Sequence, residues 1–237
     1  ENMTYFPRAV RCTAALMICV LVHVSPARGK KNKIPSHPSQ LSFTQLEWAV
    51  PQGQRFRTLL HDAIPAYVAV DSTLPLISIH GKVRFGTLLD PENGEGITAL
   101  TLRAMRTGGT RQFHPDTVDM LIDRYAISLN LSADESVCTF TCSFLAEFID
   151  TACLLLKEIL YEPRFDTEKF KQEKQLVIES IKHRFDNPQP VLRSAYYKLM
   201  YPAHRTGALP TVQSIEAIGR DECIAWHKKM VASSEID

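Results

Sequence analysis

Side chains able to do hydrolytic or metal chemistry are present in this sequence, but few stand at a useful spacing. His80, His114, His183, His204 and His227, with Glu173 and Glu179, are the available metal ligands. No two of these histidines fall at ligand spacing on one helix. His183 lies four residues after Glu179, which shares a helical face. Catalytic zinc takes a histidine pair or triad, so a solvated helix face is expected there. No Gly-x-Ser-x-Gly elbow and no catalytic-cysteine context occurs.

The stretch that organises the chain is Gly96 to Thr110, Gly-Ile-Thr-Ala-Leu-Thr-Leu-Arg-Ala-Met-Arg-Thr-Gly-Gly-Thr. Ile97, Leu100 and Ala104, with Leu102 and Met105 offset, predict an amphipathic buried helix. Gly108-Gly109 ends it, because glycine enters the left-handed region without a Cβ penalty. Arg103 and Arg106 suit the negative end of the helix dipole. A second helix is read from Glu168 to Lys182, running on towards Asp186-Asn187-Pro188, where proline stops it.

A Gly-Ile-containing helix ending in Gly-Thr, then a strand pair, then Glu162-Pro163-Arg164-Phe165, then the Glu173 helix resembles the first domain of the pitrilysin/insulinase zinc peptidases. The signature of that family is the inverted motif H-x-x-E-H, with a distant glutamate as third ligand. The resemblance places Ala99 and Arg103 at the histidine positions and Leu102 at the general-base position. Glu173, 70 residues after Arg103, is the one retained ligand position. Alanine has no lone pair for zinc, leucine takes no proton, and a guanidinium repels a cation. The resemblance therefore implies a degenerate member with no catalytic residue and no metal cofactor. If the two helices meet as in the family, Arg103 pairs with Glu173.

The composition is that of a globular chain: 237 residues, 45% hydrophobic and 22% charged, with net charge +1. That balance gives no basic field for nucleic acid. Residues 1–29 read as a secretory signal peptide. Arg8 and Arg11 precede the apolar run Thr13 to Val24, and Ser25-Pro26-Ala27 supplies the cleavage pattern. The run is shorter than the ~20 residues of a spanning helix. An exported protein is expected, periplasmic or associated with the cell envelope. Residues 30–43 read as a flexible leader with Pro35 and Pro38. Cys138, Cys142, Cys153 and Cys223 remain after the signal. Export permits disulfides, but buried free thiols are the expected state.

Residues 44–237 read as one peptidase-like domain. Strands are expected at Glu47 to Val50 and Arg55 to Leu60 as a hairpin, then at Ala66 to Val70 and Pro75 to Phe85. A helix follows from His114-Pro115 to about Tyr125, with proline in its first turn. A strand pair is expected at Ala126 to Leu131 and Ser136 to Phe144, then helices at Leu145 to Tyr161, Pro190 to Tyr201 and Ser214 to Met230. Trp226 and Cys223 are expected in the core. The order predicts an α+β fold, an antiparallel or mixed sheet covered on one face by helices. By resemblance the domain is incomplete and the family's second half is absent.

Three functions fit. The favoured one is a non-catalytic peptidase homologue that partners an active subunit or second half-domain and holds unfolded peptide, with Leu76 to Phe85 as the candidate edge strand. The alternative is an active zinc metalloendopeptidase with non-standard ligands. The third is a truncated product without activity.

Overall fold

The computed structural model describes residues 37–41, 50, 52–60, 64–202 and 204–233. The chain divides into two units, residues 1–51 and 52–237. In the first, the described element is one 3-10 turn at Pro38–Gln40. The predicted signal peptide lies outside the described residues, as does the strand expected at 47–50 apart from Val50. Among the described residues, no helix is long and apolar enough to cross a membrane.

The second unit begins with a small antiparallel pair, β1 (Arg57–Leu60) and β2 (Ile64–Tyr67). The partner expected for β1 in a hairpin, Glu47 to Val50, lies outside the described residues apart from Val50; the start expected at Arg55 is corrected. Gly53–Arg55 forms a 3-10 turn instead of a strand start, and Arg57–Leu60 pairs forward onto Ile64–Tyr67.

The main sheet has three antiparallel strands, β3 (Leu76–Val83), β4 (Ser128–Ala133) and β5 (Cys138–Leu145), in the order β3-β5-β4. Alternation fixes its two faces. Ile77, Ile79 and Val83 of β3 lie opposite Phe144, Cys142 and Cys138 on the inner face. Gly81 sits opposite Phe140, whose ring fills the space a Cβ would take. The outer face carries rows of short polar side chains: Ser78–Ser143–Ser128, His80–Thr141–Asn130 and Lys82–Thr139–Ser132. The hydroxyls of Ser78 and Ser143 lie 2.9 Å apart, and those of Ser132 and Thr139 2.7 Å apart. The sheet is thus open on one face and covered by helices on the other, as the α+β reading requires.

Helices α1 (Ile97–Thr107), α2 (Pro115–Arg124), α3 (Ile149–Tyr161), α4 (Thr167–Lys182) and α5 (Pro188–Met200) follow the sequence reading closely. The Asp166 carboxylate caps α4 by accepting from the amides of Glu168 at 3.1 Å and Lys169 at 3.2 Å. Several boundaries differ. α3 starts at Ile149, four residues later than expected, because Leu145 ends β5 and Ala146–Phe148 forms a 3-10 turn. The β4–β5 turn falls at Asp134 to Val137, two residues later than expected. The end of α2 delays β4: Ala126 takes a positive φ of 49° and the Ile127 amide bonds back to Ile122. The helix expected from 214 to 230 is two helices, α6 (Val212–Ala217) and α7 (Arg220–Ser233). Lys174 Nζ donates to the carbonyls of Glu216 and Ile218, each at 2.8 Å, and so terminates α6. The break lets Ile215, Ile218, Cys223 and Trp226 all reach one core.

That core surrounds α1, with Phe85, Phe165 and Phe170 packed beside its apolar residues. A second core lies between the sheet and α2 and α3, built on Val118, Phe144, Leu155 and Ile159. The entry to α1 is fixed by a buried carboxylate. Asp90 Oδ2 accepts from the Gly96 amide at 2.7 Å, and Oδ1 accepts from the amide and hydroxyl of Thr98. The Thr98 hydroxyl in turn accepts from Trp226 Nε1 at 2.9 Å, tying α7 to the start of α1. Gly96 needs to be glycine here. Its φ is +100°, and a Cβ would fall 2.6 Å from Ile215 Cδ1.

Burial pushes the Asp90 carboxyl above its ordinary value, although hydrogen bonds from Thr98 and Gly96 oppose the rise. Between the ordinary value of 3.8 and the raised one, the folded chain therefore holds more protons than the unfolded chain. Stability contributed at Asp90 falls as pH rises through that interval. Asp90→Ala removes three accepted hydrogen bonds and is expected to cost about 2–3 kcal/mol. Chemical denaturation of wild type and Asp90→Asn across that interval should show the wild type losing stability relative to the variant as pH rises.

Candidate functional site

Helix α1 is buried on nearly every side. Ile97, Thr98, Leu100, Thr101, Leu102, Ala104 and Met105 are all buried, while Ala99 and Arg103 are exposed one turn apart. Chemistry from this helix can reach solvent only along that strip. Leu102, at the general-base position of the resemblance, is 4% exposed and packed in the core. Helix α4 lies against α1. Where they meet, Arg103 Nη1 stands 3.5 Å from Glu173 Oε2, with the arginine side chain 52% and the glutamate 14% exposed. The ion pair inferred from the sequence is thus formed. Arg106 completes the charged strip by pairing with Asp119 at 3.1 Å.

These residues do not fit a zinc ion. Ala99 offers no donor atom. The Arg103 guanidinium occupies the side of Glu173 that faces α1. One carboxylate remains where about three protein ligands are needed.

The other candidate ligands are dispersed. Glu179 accepts from Gln175 at 2.9 Å and Lys182 at 2.8 Å, while His183 pairs with Asp186 at 2.7 Å. His80 lies on the outer face of the sheet, His114 precedes α2, and His204 bonds Thr206 at 2.9 Å. His227 is buried, 2.8 Å from the Leu160 carbonyl, and burial lowers its pKa. Among the described residues, no three His, Cys, Asp or Glu side chains gather where they could hold a metal ion.

All four cysteines described are free thiols. Burial pushes Cys138 up to about 12 and Cys142 and Cys223 to about 11, so none of these three is a thiolate near neutrality.

Sequence reasoning missed two features. One is Asp90, which stands six residues before Gly96, outside the usual cap spacing. The other is a cleft of about 890 Å³ beside the start of α1, with Ala99 on its wall. Its residues come from separated segments between Thr87 and Pro210, so no local pattern announces it.

The family model for insulinase, peptidase family M16, matches residues 71–209. The chain belongs to that family. A curated relative, the non-peptidase homologue YmxG of Helicobacter pylori, is 27% identical over 118 residues, which are 50% of this chain and 27% of the relative. The crystal structure of a peptidase M16 inactive domain from Pseudomonas fluorescens superposes with a TM-score of 0.64 at 16% identity. The match covers 72% of this chain and 42% of that one. A protease from Helicobacter pylori gives 0.59 at 17%, covering 65% and 38%. The chain spans about a quarter of the curated relative and less than half of either structure.

The backbone geometry predicts that metal ligands can be installed on this strip. Ala99→His with Arg103→His places two imidazoles four residues apart on the exposed strip facing Glu173. The double variant should bind about one zinc per chain by metal analysis. Adding Glu173→Ala should lower that uptake.

Proposed function

We propose that this chain is a non-catalytic member of the family that holds unfolded peptide beside an active family subunit or second half-domain. The observation that carries the reading is the Arg103–Glu173 contact at 3.5 Å, in which an ion pair occupies the place the resemblance gives to a metal. The general-base position of the resemblance carries no proton acceptor, because Leu102 is buried hydrocarbon. The names of the relatives support the same reading: one is called a non-peptidase homologue and one an inactive domain. Peptide is held by addition to an exposed strand edge. β3 and β4 are the edges of the three-stranded sheet, and α1 packs on β4. The chain acts after export, in the periplasm or at the cell envelope, and uses no metal cofactor.

The test is metal content and peptidase activity of the purified chain, with Glu173→Ala as control. The expected result is no stoichiometric zinc and no cleavage of an unstructured peptide by either protein. About one zinc per chain, lost in Glu173→Ala, would overturn the reading.

A further inference from the structure

The cleft of about 890 Å³ is of a size that takes ligands. Its charges are sorted by element. Glu92 and Glu95, from the segment before α1, and Asp134 and Glu135, from the β4–β5 turn, supply acids on the sheet side. Arg184, at the end of α4, and Arg193, on α5, supply guanidinium groups on the helical side, and Arg205, beyond α5, reaches across to the segment before α1.

The basic side is pre-set by backbone contacts, and among the described residues none of its three arginines is in an ion pair with a carboxylate. Arg184 Nη1 donates to the Pro210 carbonyl at 3.0 Å. Arg205 Nη1 donates to the carbonyls of Leu88 at 3.2 Å and Asp90 at 2.6 Å. Arg193 lies over the Tyr197 ring, 5.5 Å from its centroid. Each guanidinium carries five N–H donors in a planar fork, so most donors on this side remain for a carboxylate.

The two sides are held together by direct contacts. Thr206 donates to Glu135 Oε2 at 3.5 Å, and Ser214 donates to the Glu95 carbonyl at 3.0 Å. Pro210 packs against Gly96 in the same region. The cleft therefore exists before any ligand arrives, which limits the ordering cost of binding.

We infer that this two-signed cleft is the anchoring site for a short extended peptide carrying both charges, its carboxylate on the arginine side and its ammonium on the acidic side. Charge complementarity is the ground for choosing this ligand. A purely anionic ligand would meet the carboxyl groups of Glu92, Glu95, Asp134 and Glu135 beside the buried Asp90, and a purely cationic one would meet three guanidinium groups. Tyr197, Leu209 and Pro210 supply apolar contact for the backbone and stems between them. The inference rests on the peptide-holding function and names the place and charge of what is held.

The test is fluorescence anisotropy with a labelled, unstructured peptide of about a dozen residues bearing Lys near one end and Asp with a free carboxylate at the other. It uses the whole chain, Arg193→Glu, Glu92→Lys and, as control, Lys82→Glu on the outer face of β3. All three substituted residues are exposed, and thermal melting checks that each variant folds. The expected result is binding that weakens about tenfold in each cleft variant and with added salt, but not in Lys82→Glu. Wild-type binding that neither cleft variant alters would overturn the cleft as the anchor while leaving peptide holding intact. No binding by the wild type would overturn both.

Discussion

The burial of α1 is the constraint on which the rest of this structure depends. A helix enclosed by α4, α7 and β4 has one strip left for solvent, and that strip is set by which residues the neighbours do not cover. Asp90 fixes where the helix starts and Trp226 locks the last helix onto the same point through Thr98. The positions of Ala99 and Arg103 are therefore consequences of core packing. So is the meeting of Arg103 with Glu173, since Phe170 and Ile178 of α4 are buried in the same core.

Much of the fold was legible because periodicity survives folding wherever an element has one wet and one dry side. In β3, Ile77 and Ile79 alternate with Ser78 and His80, and in β5 Cys142 and Phe144 share the inner face, so the expected strands at 75–85 and 136–144 carry a period of two. The pairing of Arg103 with Glu173 was legible only through the resemblance, because 70 residues separate them. What was not legible depended on contacts remote in sequence. Gly219 is a local sign of a break, but nothing local shows that Lys174 will bond the carbonyls of Glu216 and Ile218 beside it. Nothing near Asp90 shows that it serves amides six and eight residues on. The cleft is a meeting of segments, and segment meetings are set by tertiary packing.

The energies separate fold from site. An exposed ion pair such as Arg103–Glu173 contributes about 0–1 kcal/mol. Burying one large apolar side chain contributes about 1.5–3 kcal/mol, and α1 buries Ile97, Leu100, Leu102 and Met105. The α1–α4 contact is therefore held by hydrocarbon, and the charged strip above it adds little. Whether the strip carries metal ligands or an ion pair therefore makes almost no difference to the architecture. This is why a TM-score of 0.64 to a family structure establishes the fold and says nothing by itself about catalysis. Activity has to be read from the strip, where Ala99 and Arg103 reach solvent above the buried Leu102 and the Glu173 carboxylate of α4 is taken up by the arginine.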